Sequence, residues 1–264
     1  MKRWKPFRRF MSLLEEAKES KKRLRFGLHF VNASEIAEQF YCEKKVELKY
    51  TYGKIQTQEM EKGDEKHELT LSGMIPVKRE DLWRDIFQKP TVGASMLLLG
   101  KYRECVIAGR PDYILFRRRK PTLLIEYKFS RKPKIFPSYH VQALVYGYLL
   151  HDLGFETSEL RYAISVAPHD LNREKIESLN QTICMLSIPE LYKKEPVDLD
   201  IPGLVVWMYP FSLESAIEKL EWAIPFWEER RNAKPTRKAE KCGACGYREK
   251  CTKAAPIPVF SSHP

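Results

Sequence analysis

Apolar runs and helical patterns alternate along the chain and predict the secondary structure of most of it. Short β-prone runs bounded by turn residues predict strands. The predicted strands are Met74–Val77, Met96–Leu99, Tyr102–Ile107, Leu160–Val166, Gly203–Tyr209 and the two runs that flank the basic turn 117–121. Apolar positions at helical spacing predict helices over 1–26, through Ile36–Phe40, and over 56–70, Ser138–Leu153, Asn172–Leu186 and Leu213–Arg231. Helices therefore flank a central mixed sheet, which is an α/β fold.

The composition is that of a folded, basic protein. Of the 264 residues, 43% are hydrophobic and 12% aromatic, which is enough to bury a core. The formal net charge is +11 and the isoelectric point is near 9.3, a balance typical of proteins that bind a polyanion. A merely soluble, lysine-rich surface is the alternative. The basic clusters are interleaved with aromatic residues that offer stacking surfaces for bases, so we expect a nucleic-acid partner rather than a membrane.

No segment has the pattern of a membrane span or of a secretory signal. The longest apolar stretch, Val141–Phe155, is interrupted by Gln142, His151 and Asp152 and is shorter than the roughly 20 residues that a span requires. The basic N-terminus lacks an apolar segment and a cleavage site. We therefore expect a cytoplasmic protein whose six cysteines are reduced, metal-bound or buried rather than paired in disulfides.

The stretch from Gly109 to Lys128 carries the strongest chemical signal. Asp112 stands at the start of one apolar run, and Glu126 and Lys128 stand two residues apart on the next. Residues i and i+2 of a strand share a face, and a hairpin through 117–121 would bring Asp112 beside them. Two carboxylates on one face can hold a divalent cation, and a neighbouring lysine can position or deprotonate a water. The pattern suits metal-assisted hydrolysis of a phosphodiester, although a Glu-Lys pair on a strand surface would look the same.

Two helical patterns add further candidates. His67 lies in a strongly charged pattern, where a histidine is more often a surface residue. Gln142 and Tyr146 are four residues apart on a predicted helix and share a face. Gln142 lies among apolar residues, where an amide requires a partner.

The C-terminal segment contains Cys242-x-x-Cys245 followed by Cys251, which is metal-ligand spacing with glycines at the turns. Three thiolates require a fourth ligand, and Cys42 is the remaining cysteine in a polar setting outside a strand. Such a site would join the two ends of the chain. The spacing leaves zinc and an iron–sulfur cluster equally open, and a reducing compartment disfavours a disulfide.

Taken in order, these motifs resemble those of the RecB-like branch of the PD-(D/E)xK nucleases. The cysteine pattern is similar to that of the iron–sulfur members of this branch, above all the CRISPR-associated Cas-four exonucleases. The resemblance spans about residues 30–251 and rests on His67, Pro111-Asp112, Glu126-Tyr127-Lys128, Gln142-x-x-x-Tyr146, Cys42, Cys242, Cys245 and Cys251. It implies a restriction-endonuclease-like nuclease domain at 29–240 and a cysteine-rich segment at 241–264 that joins Cys42. The basic N-terminal helix or arm at 1–28 is longer and more basic than we expect for this family. We expect its helix to present a solvated face, with a DNA-contacting arm and a partner helix as the alternatives.

The resemblance also implies a role for each residue. The implied ligands of Mg²⁺ or Mn²⁺ are His67, Asp112, Glu126 and the backbone carbonyl of Tyr127. Lys128 would align or activate the attacking water, and Gln142 and Tyr146 would orient Lys128 or the DNA strand. The implied ligands of a [4Fe-4S] cluster are Cys42, Cys242, Cys245 and Cys251.

The implied activity is digestion of single-stranded DNA from an end, 5′ to 3′, in the processing of new CRISPR spacers beside the integrase proteins. Two other functions stay open. One is a non-catalytic DNA-binding scaffold that keeps the fold, and the other is a general repair nuclease of the RecB or AddB type, whose chain is much longer. The complete Asp-Glu-Lys set favours an enzyme, because a decayed site would tend to lose one of them. No feature of the sequence indicates an oligomeric state.

Overall fold

A six-stranded mixed sheet flanked by helices forms the centre of the computed structural model, as the sequence pattern predicts. The structure describes residues 4–19, 23–55, 79–130, 134–168 and 173–256. The strands are β1 (Val31–Asn32), β2 (Thr91–Ala94), β3 (Leu98–Tyr102), β4 (Cys105–Gly109), β5 (Tyr113–Arg117), β6 (Lys120–Phe129), β7 (Arg161–Ala167), β8 (Val197–Asp198) and β9 (Val205–Pro210). The helices are α1 (Lys5–Glu19), α2 (Ala33–Tyr52), α3 (Arg79–Gln88), α4 (Pro137–Leu153), α5 (Arg173–Glu190), α6 (Leu213–Trp227) and α7 (Ala239–Gly243).

The central sheet has the strand order β2-β5-β6-β7-β9-β8. Strands β5 and β6 form the antiparallel hairpin that the sequence predicts, with Arg117 opposite Lys120. The two turn residues, Arg118 and Arg119, have φ of 48° and 72°, as the twist of a two-residue hairpin requires. Strand β6 pairs in parallel with β7, and α4 forms the connection between them. The carboxyl ends of β6 and β7 therefore meet at one edge of the sheet, next to the amino end of β5.

Different helices cover the two faces of the sheet. Helix α4 packs on one face and is buried along most of its length, and α5 packs Ile176, Leu179 and Ile183 on the other. As predicted, α4 ends at Gly154, whose φ of 93° is left-handed and terminates the helix. A smaller sheet, in the order β1-β4-β3, lies beside α4 and brings the end of β4 to the same region. Within the described ranges, no helix has both the length and the apolar character that crossing a membrane requires.

Helix α1 is a core element, which differs from the expectation of a solvated N-terminal helix. It spans Lys5–Glu19 within the described residues, and the helix predicted over 1–26 does not continue as an α-helix through 23–26. Phe10 and Leu13 are buried, and the ring of Phe10 packs against Trp83 of α3. Arg9 also donates to Asp152 of α4 at 3.0 Å. The basic character of the segment therefore conceals an apolar stripe that packs against the domain.

Candidate functional site

Asp112 and Glu126 are brought together by the β5–β6 hairpin. Asp112 directly precedes β5, and the register that sets Tyr113 opposite Ile125 places it next to the following residues of β6. The backbone N–H of Tyr127 donates to Asp112 Oδ2 at 2.8 Å. In a strand, the N–H and C=O of one residue point to the same edge. The Tyr127 carbonyl therefore also lies on the Asp112 side of the strand.

Lys128 connects these carboxylates to helix α4. Its Nζ donates to Glu126 Oε1 at 2.7 Å and to Gln142 Oε1 at 3.0 Å. Gln142 Nε2 in turn donates to the hydroxyl of Tyr146 at 2.8 Å. Both ends of the amide are used, which explains why a glutamine lies in the apolar sequence of α4. The structure thus brings together Asp112, Glu126, Lys128, Gln142 and Tyr146.

The ring of Tyr146 packs against the backbone of Gly109 at the end of β4. A Cβ atom on this glycine would lie 2.6 Å from Tyr146 Cε1 and 3.0 Å from the Cβ of Ala33. Tyr146 is buried, so its ring has little space into which to move. The absence of a side chain at position 109 is therefore required for the position of Tyr146, and through it for the Gln142 amide.

The two carboxylates lie in a largely dry site, since Asp112 is 5% and Glu126 is 2% exposed. Burial alone would lower the pKa of Lys128, but the charges of Glu126 and Asp112 raise it above its ordinary value. Lys128 is therefore held as an ammonium ion that donates to Glu126 and Gln142. Burial also raises the pKa of Tyr146 well above its ordinary value. Its hydroxyl is therefore neutral and remains a hydrogen-bond partner of Gln142.

Two buried carboxylates beside one ammonium group leave a net negative charge, which a divalent cation would balance. Carboxylate oxygens are the hard ligands that Mg²⁺ and Mn²⁺ prefer, so these residues fit such an ion. The third side chain predicted as a ligand, His67, lies outside the described residues. Among the residues that the structure describes, no group of three or more His, Cys, Asp and Glu side chains is arranged to hold a metal ion.

The four cysteines predicted as ligands line one cavity between the two ends of the chain, and they are Cys42, Cys242, Cys245 and Cys251. Cys42 lies at a break in α2, where its φ of −171° and ψ of 116° are extended rather than helical. Backbone N–H groups donate to two of the sulfurs, from Thr236 to Cys42 at 3.4 Å and from Ala255 to Cys242 at 3.3 Å. No disulfide bond joins any of the six cysteines, all of which lie within the described residues.

The surroundings of this cysteine cavity are basic. Lys241 donates to the carbonyls of Phe40 and Tyr41 at 3.2 and 2.9 Å, and burial together with the charge of Lys238 lowers its pKa. The basic side chains that line the cavity are Lys45, Lys241, Arg248 and Lys253. A [4Fe-4S] cluster with four thiolates is an anion, and N–H donors to its sulfurs tune it. The N–H donors and the basic side chains suit an anionic group, while the four cysteine side chains are not arranged in this structure as a set of metal ligands.

A buried ion pair that sequence reasoning missed ties α2 to the segment after α6. Glu43 is fully buried and accepts from both terminal nitrogens of Arg231, each at 2.6 Å. Gln39 Nε2 and the backbone N–H of Lys234 donate to the same carboxylate at 2.8 Å. Because Glu43 directly follows Cys42, this pair holds one wall of the cysteine cavity against the other.

Tyr139 is a second residue that sequence reasoning missed. Lys128 Nζ lies 5.1 Å from the centre of its ring, which is within the range of cation–π attraction. Tyr139 precedes Gln142 by three residues on α4 and therefore shares its face. That spacing is the signal that could have identified it.

A family model described as the PD-(D/E)XK nuclease superfamily matches residues 33–252. No curated protein matches the chain. Among solved structures, the crystal structure of SSO0001 is similar, with 17% identity and a TM-score of 0.44 over 95% of this chain and 97% of that one. Members of the superfamily are metal-dependent nucleases that use Mg²⁺ or Mn²⁺. Because the family match covers most of the sequence, the chain belongs to the PD-(D/E)XK nuclease superfamily.

Proposed function

We propose that this chain is a metal-dependent exonuclease that digests single-stranded DNA from an end. The observation that carries the proposal is the run of hydrogen bonds from Glu126 through Lys128 and Gln142 to Tyr146, with Asp112 beside it. An ion pair on a strand surface would need neither the second buried carboxylate nor the amide and phenol that hold the lysine. The arrangement supports hydrolysis of a phosphodiester, the reaction class of the superfamily.

In this proposal the side chains of the site have separate roles in the reaction. When bound, a divalent cation stabilises charge on the scissile phosphate and lowers the pKa of a water. Lys128 holds the attacking water through its ammonium group, and Gln142 and Tyr146 fix the position of the lysine. The groups that would bind the cation are Asp112, Glu126, His67 and the Tyr127 carbonyl.

DNA as the substrate is supported by the net charge of +11 and by the aromatic side chains near Lys128. The preference for single strands, the 5′ to 3′ polarity and a place in CRISPR spacer processing beside integrase proteins come from the resemblance to the Cas-four exonucleases. We propose them as the specific form of the activity. A repair nuclease of the RecB or AddB type would use the same residues for the same chemistry.

We also propose that the four cysteines hold a [4Fe-4S] cluster as a structural staple. Their common cavity, the two N–H donors to sulfur and the basic lining support this cofactor. Helix α2 carries Cys42 and packs on α4, which carries Gln142. The cluster would therefore support the helix that holds the active site, without taking part in the chemistry.

The test uses anaerobically purified protein with Mn²⁺ and three labelled substrates. These are single-stranded DNA blocked at its 5′ end, the same strand blocked at its 3′ end, and a blunt duplex. We expect rapid digestion only of the strand whose 5′ end is free. Binding of all three substrates without digestion would support the scaffold function instead, and equal digestion of the duplex would contradict the preference for single strands.

A further inference from the structure

Two adjacent aromatic rings, with a lysine at each end, extend from the surface to the candidate active site. Lys128 Nζ lies 5.1 Å from the ring centre of Tyr139. The rings of Tyr139 and Phe136 meet edge to face, with centres 5.4 Å apart and planes at 83°. Lys134 Nζ lies 5.8 Å from the ring centre of Phe136. The exposed Lys134 is therefore linked to the half-buried Lys128 through two successive aromatic rings.

Phe136 has an exposed ring on a rigid backbone. It is 38% exposed and lies at the N-cap position of α4, in an extended conformation. The following Pro137 occupies the start of the helix, where its fixed φ favours helix initiation. The N–H of Tyr139 donates to the Phe136 carbonyl at 2.9 Å. Single exposed apolar residues are common on protein surfaces, but this one lies beside Lys134 and contacts Tyr139, whose ring lies beside Lys128.

We propose that Phe136, Tyr139 and Lys134 form a seat for one unpaired nucleobase beside the scissile phosphate. The base stacks on the exposed ring of Phe136, Tyr139 supports that ring from behind, and Lys134 pairs with the adjacent phosphate. This inference rests on the proposed action on DNA and names the side chains that recognise the substrate. Cations beside aromatic rings are the combination that binds single-stranded nucleic acid, because the charges follow the backbone and every base has a face that stacks.

The seat discriminates between single strands and duplexes. In a duplex the faces of a base are covered by its neighbours in the stack, and only its edges are accessible in the grooves. A base must leave the stack to reach Phe136, at a cost that is smallest when the base is already unpaired. The residues of the seat therefore make the enzyme prefer an unpaired end without reading its sequence.

The test is a binding experiment with single-stranded DNA that carries 2-aminopurine at successive positions from its end, in Ca²⁺ so that bound DNA stays intact. Stacking on an aromatic ring quenches 2-aminopurine, and this readout does not depend on cleavage. The variants are Phe136→Ala, Phe136→Leu and Phe136→Trp. Tyr192→Ala is the matched control, since Tyr192 is 78% exposed and follows α5, which packs on the other face of the sheet.

We expect quenching at one position near the end of the strand in the wild-type protein and in Phe136→Trp. Phe136→Ala and Phe136→Leu should lose this quenching and bind the single strand about tenfold more weakly. That decrease agrees with the binding free energy measured for one base–aromatic stack. Binding of the blunt duplex and the far-UV circular dichroism should not change. Undiminished quenching in Phe136→Ala, with wild-type binding and cutting of single strands, would overturn the seat alone. A wild-type protein that neither binds nor cuts DNA would overturn the proposed function and the seat together.

Discussion

Arg231→Met should destabilise the protein by about 3 kcal/mol. Glu43 is fully buried and accepts four hydrogen bonds, two of them from the guanidinium of Arg231. Removing one partner of a buried ion pair costs roughly 3–5 kcal/mol, because the remaining charge stays buried. The Arg231 side chain is 19% exposed, so water can reach the vacated position and the lower figure applies. For a chain of this size the expected decrease in Tm is about 6–12 °C.

The assay is thermal and urea unfolding of the wild-type protein and of two arginine variants. Arg230→Met is the matched control, because the neighbouring Arg230 is 50% exposed and its ion pair with Glu228 is worth less than about 1 kcal/mol. Cys42 should also react faster with a thiol reagent in Arg231→Met, since the pair holds the wall of the cysteine cavity. Equal unfolding midpoints for the two variants, with unchanged thiol reactivity, would refute the account of the Glu43 pair as a buried staple.

Three further variants test the two sites. Lys128→Ala should abolish cutting while the dissociation constant for single-stranded DNA stays within about threefold, because the lysine acts on the water rather than on binding; retained cutting would remove it from the mechanism. Cys42→Ala should lose the iron and the visible absorbance of the proposed cluster, and an unchanged spectrum would mean that another residue is the fourth ligand. Gly109→Ala should lower kcat at least about tenfold with an unchanged fold, because the added methyl group displaces the ring of Tyr146; a wild-type kcat would contradict that packing.

The hairpin and its carboxylates could be predicted because their signals are local. A strand has a period of two, so Glu126 and Lys128 must share a face wherever the strand lies. The basic turn is short, so Asp112 must return close to them once the strands pair. The end of α4 at Gly154 is equally local, since a residue with left-handed φ terminates the helix.

The remaining contacts depend on packing between distant segments, which no local pattern encodes. Glu43 and Arg231 are 188 positions apart, and nothing near either residue indicates the other. The contact of Gln142 with Lys128 requires that α4 crosses the carboxyl end of β6, which only the completed sheet determines. Helix α1 was expected to be solvated because charge dominates its composition. Its burial depends on Phe10 meeting Trp83 of a helix far along the chain.

The most direct test of the central claim is the digestion of end-labelled single-stranded DNA with Mn²⁺ by the wild-type protein beside Glu126→Ala. Glu218→Ala is the control, because Glu218 is an exposed glutamate on α6 whose side chain is 70% accessible. Loss of digestion in Glu126→Ala, with wild-type activity in Glu218→Ala, is the result we predict, and it would establish a nuclease whose metal site lies on the β5–β6 hairpin. Digestion that persists in Glu126→Ala at the wild-type rate would show that the hairpin is not the catalytic centre.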